Sequence, residues 1–202
     1  IAGPISTDSI ARFIGVNAGT LPLGYGGAPL LGTLIGELLK RGHHVSAYTT
    51  SGDLPLDLAR CVEATGERFK IFYAPQRKHS LRMNGRHFGR IVDFFGLERQ
   101  FLEQAICTDA PDMVHAHWAY EFALAAISSG KPHVVTCHDA PLEVLKFMPN
   151  LYRFGRYLMA RKVMRTACAL TTVSPYMRDL IGRNDISVIP NPLPSAIAQR
   201  KF

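Results

Sequence analysis

The sequence predicts an α/β protein, a Rossmann-like and mainly parallel sheet with helices on both faces. Apolar and β-branched runs of about four to six residues alternate with helical patterns of about ten to twenty, which implies right-handed crossover units. The glycine-rich and polar motifs sit where the predicted strands end, and open parallel sheets bind ligands at those carboxyl ends. The 202 residues are long enough to bury a core without a disulfide or metal staple.

The elements follow in order. Ile1-Ala-Gly-Pro4 reads like the end of a strand. Leu30, Leu31, Leu34, Ile35, Leu38 and Leu39 recur at helical spacing behind Pro29, and Gly42 supplies a left-handed stop, so residues 27–41 are predicted as a helix. Residues 44–49 read as a strand, 54–66 as a helix and 68–73 as a strand. Phe88, Ile91, Val92, Phe95, Phe101 and Leu102 predict a helix over 86–106. There follow a strand at 113–117, a small-residue helix at 119–129, a strand at 133–136, a helix at 151–166, a strand at 169–173, a helix after Pro175 and a strand at 186–189. Pro190, Pro192 and Pro194 continue neither a helix nor a central strand. Residues 1–190 are therefore expected to form one domain, with 191–202 opening a linker.

Composition excludes several classes. With 47% hydrophobic and 19% charged residues, the chain is neither disordered nor fibrous, and it has no apolar run of the roughly 18 residues that span a bilayer. Cys61, Cys107, Cys137 and Cys168 are scattered without a C-x-x-C pair, which suits neither a structural zinc site nor a secreted disulfide framework and fits a reducing cytoplasm. The formal charge is +7, and fourteen of the 23 basic residues lie in two acid-free stretches, residues 68–90 and 144–178. Solvated helix faces would account for such stretches, but two together suggest an anionic membrane surface or a polyanionic acceptor. Nucleic acid is not expected, because no binding motif or aromatic-basic stripe accompanies them.

Four motifs sit at predicted strand ends. Gly24-Tyr-Gly-Gly-Ala-Pro29 opens the first helix, where glycines allow backbone amides to approach a phosphate or carboxylate. It is not a dinucleotide fingerprint, since the position of the third glycine is Pro29. His115 and His117 lie two apart on one side of a strand, with His117 nearer the sheet's mouth and His115 placed as a hydrogen-bonded core residue. His138 and Asp139 end the next strand. The imidazole suits hydrogen bonding to a substrate, and Asp139 would either orient it or cap a helix. Ser174, before Pro175, suits an N-cap and equally a ligand oxygen.

Gly26-Gly27 opening the first helix, Arg41-Gly-His43, Asp112-Met-Val-His-Ala-His-Trp118, Gly130-Lys-Pro-His-Val-Val-Thr-Cys-His138, Thr172-Val-Ser174 and Ile186-Ser-Val-Ile-Pro-Asn191 together resemble the N-terminal half of a glycosyltransferase family 4 enzyme. The resemblance implies a GT-B architecture of two Rossmann-like domains facing a cleft. It further implies transfer of a sugar from a nucleotide-sugar to an acceptor, lipid-linked or polysaccharide, with retention and without a cofactor or bound metal. His138 and Asp139 would serve catalysis, His138 touching the transferred sugar. Gly26 and Gly27 would face the donor diphosphate or the acceptor, His117 and Ser174 the same cleft, and Asn191 the crossover into the second domain. The C-terminal donor-binding domain cannot be located in these residues, so the chain alone is expected to be inactive. A cytoplasmic enzyme, peripheral at the inner membrane face, is the expectation. The first loop is longer than the family pattern, and its Thr7, Asp8, Arg12 and Asn17 suit acceptor recognition or merely cover the cleft.

Two other readings remain open at this level. His115, His117, His138 and Asp139 are ligand types of a metal-dependent hydrolase. A barrel hydrolase would, however, place its H-x-H after the first strand rather than the fourth. A stand-alone carbohydrate- or phosphate-binding module is the non-catalytic alternative.

Overall fold

A computed structural model describes residues 1–15 and 18–192. Asn17, Pro194 and nearly all of the expected linker 191–202 lie outside the described residues. The strands are β1 (Val45–Ser51), β2 (Val62–Thr65), β3 (Phe69–Pro75), β4 (Val114–His117), β5 (His133–Cys137), β6 (Ala169–Thr172) and β7 (Ser187–Val188). The helices are α1 (Thr7–Ile10), α2 (Leu30–Lys40), α3 (Gly96–Asp109), α4 (Glu121–Ser128), α5 (Pro141–Phe147), α6 (Leu151–Thr166) and α7 (Pro175–Ile181).

One set of strands runs β2-β3-β1 and the other β4-β5-β6-β7. Ala2 joins them, bridging Tyr48 of β1 and Ala116 of β4 in parallel, so the first residues do lie in the sheet. Only β2 runs antiparallel to its neighbour. Side-chain alternation then divides the interior in two. Val45 and Ala47 of β1, with Phe69, Ile71 and Tyr73 of β3, face Leu31 and Ile35 of α2. Tyr48, Phe72 and Ala74 point the other way, into a larger cluster with Leu102 and Ile106 of α3, Phe122 of α4 and Val163 of α6. Both faces of the sheet are covered, as a mainly parallel sheet requires.

Two predicted elements differ, and one helix is additional. Residues 54–66 are an irregular segment and the edge strand β2 rather than a helix. Leu54 and Leu58, one helical turn apart, reach different core clusters, so the segment offers no single apolar helical face. The helix expected over 86–106 begins only at Gly96. Phe94 and Phe95 hold left-handed φ of 53° and 60°, and of the supposed apolar stripe Phe88 and Val92 are solvent-exposed. Helix α5, with Pro141 in its first turn, was not expected at all.

The long first loop covers the α2 side of the core and also reaches the carboxyl end of β1, where Gly24 N donates to Ser51 Oγ and Leu23 N to Asp53 Oδ2. Ile5, Ile10 and Ile14 are buried against α2. Thr7 is buried too, its hydroxyl on Pro22 O and 2.9 Å from Tyr73 Oη. Asp8 and Arg12 are exposed. Returning, the loop zips antiparallel to its own start: Thr7 N donates to Leu23 O and Tyr25 N to Ile5 O. Gly24 has φ +72°, and a Cβ there would collide with Ile5 O, so this crossing requires glycine.

Candidate functional site

The site grows from the register of two strands. His117 of β4 stands opposite Thr136 of β5, so His115, His117, Thr136 and His138 share one face of the sheet. His115 Nε2 lies 2.7 Å from Thr136 Oγ1, which in turn reaches Thr171 Oγ1 on β6 at 2.7 Å. The His115 and His117 rings are 4.2 Å apart, centroid to centroid. His117 Nδ1 is 2.9 Å from His138 Nε2, and these two rings stack at 5.2 Å. Burial disfavours the imidazolium forms throughout. His115 is lowered to about 4, His117 lies well below its ordinary value, and His138 is lowered as well. At neutral pH this is a chain of neutral rings.

The glycine-rich loop reaches the same end of the sheet through packing. At Gly3 a Cβ would stand 2.8 Å from Leu31 Cδ1 and 3.3 Å from His117 Cβ, so α2 closes on the histidines only over a glycine. Trp118 keeps the sheet ladder by donating its N–H to Thr136 O, while its left-handed φ of 71° swings the chain into α4. Its indole meets Tyr25 edge to face at 5.7 Å and would be 3.7 Å from a Cβ on Gly27. Gly26 and Gly27 are exposed beside it, and nothing would obstruct a Cβ on Gly26.

Asp139 is not hydrogen-bonded to His138, although its charge partly opposes the burial that lowers that imidazole. Its Oδ2 accepts from Tyr120 Oη at 2.7 Å, and its buried Oδ1 has no protein partner among the described residues. The Tyr120 ring lies under the Arg156 guanidinium, whose carbon is 3.6 Å from the ring centroid, and Arg156 Nη1 donates to Tyr152 Oη at 2.9 Å. Next to these is Glu121, 1% exposed, with neither carboxylate oxygen hydrogen-bonded to the described protein. Burial raises its carboxyl against the opposing pull of Arg156. Sequence reasoning missed Tyr120, Glu121 and Arg156. A carboxylate opening an otherwise small and apolar helix was the one available signal.

The remaining expected residues divide. Ser174 caps α7, accepting from Met177 N at 3.1 Å, at the carboxyl end of β6. Asn191 is exposed beyond β7, with no recorded link to the histidines. Among the described residues no group of three His, Cys, Asp or Glu side chains is placed to hold a metal ion. His115 and His117 spend their facing nitrogens on Thr136 and His138.

A parallel sheet with a histidine pair, a glycine-rich helix start and a buried polar cluster at one end belongs to the Rossmann-like class whose chemistry happens at strand ends. Comparison gives the family. The model of Glycosyltransferase Family 4 matches residues 26–196, most of the chain, and the chain belongs to that family. No curated protein matches it.

Proposed function

We propose that the chain forms the acceptor-side half of a two-domain cleft and acts in transfer of a sugar from a nucleotide-sugar to an acceptor hydroxyl, lipid-linked or polysaccharide, with retention and without a bound metal. The observation that carries the reading is the His117–His138 pair at the carboxyl ends of β4 and β5. One proton lies between the two rings, and two arrangements are available. If His138 donated it, His117 Nε2 would be a buried N–H without a protein partner, the costlier kind of orphan. With His117 donating instead, His138 keeps its proton on Nδ1 and becomes the donor available to a sugar oxygen. His117 is then a positioning residue that fixes the tautomer.

Gly26, Gly27 and the following α2 turn supply backbone amides suited to the charge of a departing diphosphate. Asp139, tied to Tyr120, supports the turn after β5 and is a weaker candidate for direct catalysis than His138. In the full-length protein His138→Ala is expected to lower kcat by about 10²- to 10³-fold while the donor Kd changes little. His117→Ala should produce part of that loss. A His138→Ala protein that melts early yet keeps a near-normal kcat per folded molecule would make the ring a core residue. Multiple turnovers by the 202 residues alone would overturn the two-domain reading.

A further inference from the structure

Two stretches outside the sheet emerge at the same end as the histidine pair. Residues 76–95 leave the carboxyl end of β3, and residues 138–154 leave that of β5 and run through α5 into the first turn of α6. Both hold large apolar side chains in water. On the first, Leu81, Met83, Phe88 and Val92 are 52%, 52%, 64% and 55% exposed. On the second, Phe147 and Leu151 are 83% and 72% exposed, with Met148 and Phe154 at 49%. The stretches adjoin: a Cβ on Gly155 would stand 2.5 Å from Ile91 Cγ1, and Phe95 packs on Tyr152 at 6.5 Å. Single exposed apolar residues are ordinary, whereas this many on two adjoining stretches mark a surface that meets something.

The exposed charges on this face that lack an ion-pair partner among the described residues are positive. Arg82 and Arg86 are exposed and have no ion-pair partner among the described residues, and Arg153 is half-buried with its guanidinium over Tyr152. The three acids on these stretches are already engaged, Asp93 by Arg77, Glu143 by Lys146 and Asp139 by the Tyr120 hydroxyl. We propose that this face docks on an anionic lipid bilayer, with Phe88, Phe147 and Leu151 entering the headgroup boundary and Arg82, Arg86 and Arg153 meeting lipid phosphates. Cations interleaved with protruding aromatic and aliphatic side chains match that layered chemistry, apolar beneath and anionic above. Docking by this end would turn the histidine pair toward the membrane. The basic stretches contribute less than their count suggests. Arg77 and Arg156 are buried, and Arg161, Lys162 and Arg165 sit about 15–20 Å farther along α6, at 1.5 Å per residue, toward the other end of the sheet.

The proposal does not depend on glycosyl transfer and is tested without it. The chain is cosedimented with phosphatidylcholine vesicles carrying none or about a third phosphatidylglycerol, at about 0.05 M and 0.5 M salt. Binding should require the anionic lipid and weaken at high salt. Each cation near the surface multiplies partitioning about fivefold, so Arg82→Ala with Arg86→Ala should lower it about 25-fold. Phe147→Ser with Leu151→Ser should lower it at both salt concentrations, and Phe147→Trp should keep it and be quenched by brominated lipid. Melting temperatures of all variants are expected to match wild type, since these side chains are exposed. Equal binding to neutral and anionic vesicles would overturn the proposal, as would no binding at all. Binding indifferent to Phe147→Ser with Leu151→Ser would overturn insertion. A dimer in sedimentation velocity that dissolves on Phe147→Ser would instead make the face a contact between copies.

Discussion

The neutral histidines of β4 should make the fold sensitive to mild acid. In the unfolded chain each titrates near pH 6.5, whereas in the folded protein His115 is lowered to about 4 and His117 lies well below its ordinary value. Their folded values are depressed, so between about pH 6 and pH 4.5 the unfolded state binds protons that the native state refuses. Stability then falls as pH falls, by about 1.4 kcal/mol per pH unit for each fully excluded proton. His117 is 3% exposed and counts in full, and half-buried His115 counts for somewhat less, giving about 2–2.5 kcal/mol per unit together. For a chain of this size that is about 4–10 °C of melting temperature per pH unit. Glu121 works in the opposite direction. Its raised carboxyl takes up a proton on acidification and strengthens the fold, so the raw slope understates the histidines. Carboxylates held low, such as Asp109, lose their contribution only below about pH 4. The assay is therefore differential: thermal melts at pH 7, 6 and 5 for wild type and for His115→Asn with His117→Asn. The variant should be flatter by the stated amount. Parallel slopes would show that these rings do not exclude protons, and the neutral-pair description of the site would fail with them.

Glu98→Ala should destabilise the fold by about 3–5 kcal/mol in denaturant titration, because Arg77, 1% exposed, would be left buried with only one carboxylate partner. Asp93→Ala, at a carboxylate 43% exposed, should cost clearly less. Gly24→Ala should lower stability by about 1–3 kcal/mol through its positive φ and its collision with Ile5 O. Gly26→Ala, in open space at the same loop, should leave the melting temperature within about 2 °C of wild type.

What the sequence made legible follows a physical divide between local and distant causes. Strand β5 and the helix at 151–166 were readable because β-branching and helical periodicity act within a few residues of one another. His117 and His138 were readable as strand-end residues for the same reason. That His117 Nδ1 faces His138 Nε2 was not, since it depends on the register of two strands separated by the whole of α4. Local pattern also misled where two periods compete. Leu54, Leu56 and Leu58 beside Val62 resemble a helical face until Pro55 and the alternating burial of β2 are taken into account.

Charge was the least legible property, because a sum over the sequence treats every arginine as solvated. Arg77 donates to Glu98, 21 residues away, at 2.6 Å and to Asp93 at 2.8 Å. That closes residues 77–98 into a braced loop rather than adding to a cationic face. Arg156 spends its charge beneath the site, over Tyr120 and favoured by Glu121 against the cost of burial. Both arginines therefore act as scaffolding, and together they hold the two stretches at the carboxyl end of the sheet. The formal +7 overstates what a partner meets there. What remains includes Arg82, Arg86 and the half-buried Arg153 among exposed aromatic and aliphatic side chains. If that surface docks on a bilayer as proposed, insertion and charge act together, so removing either should weaken binding more than the sequence count of basic residues would suggest.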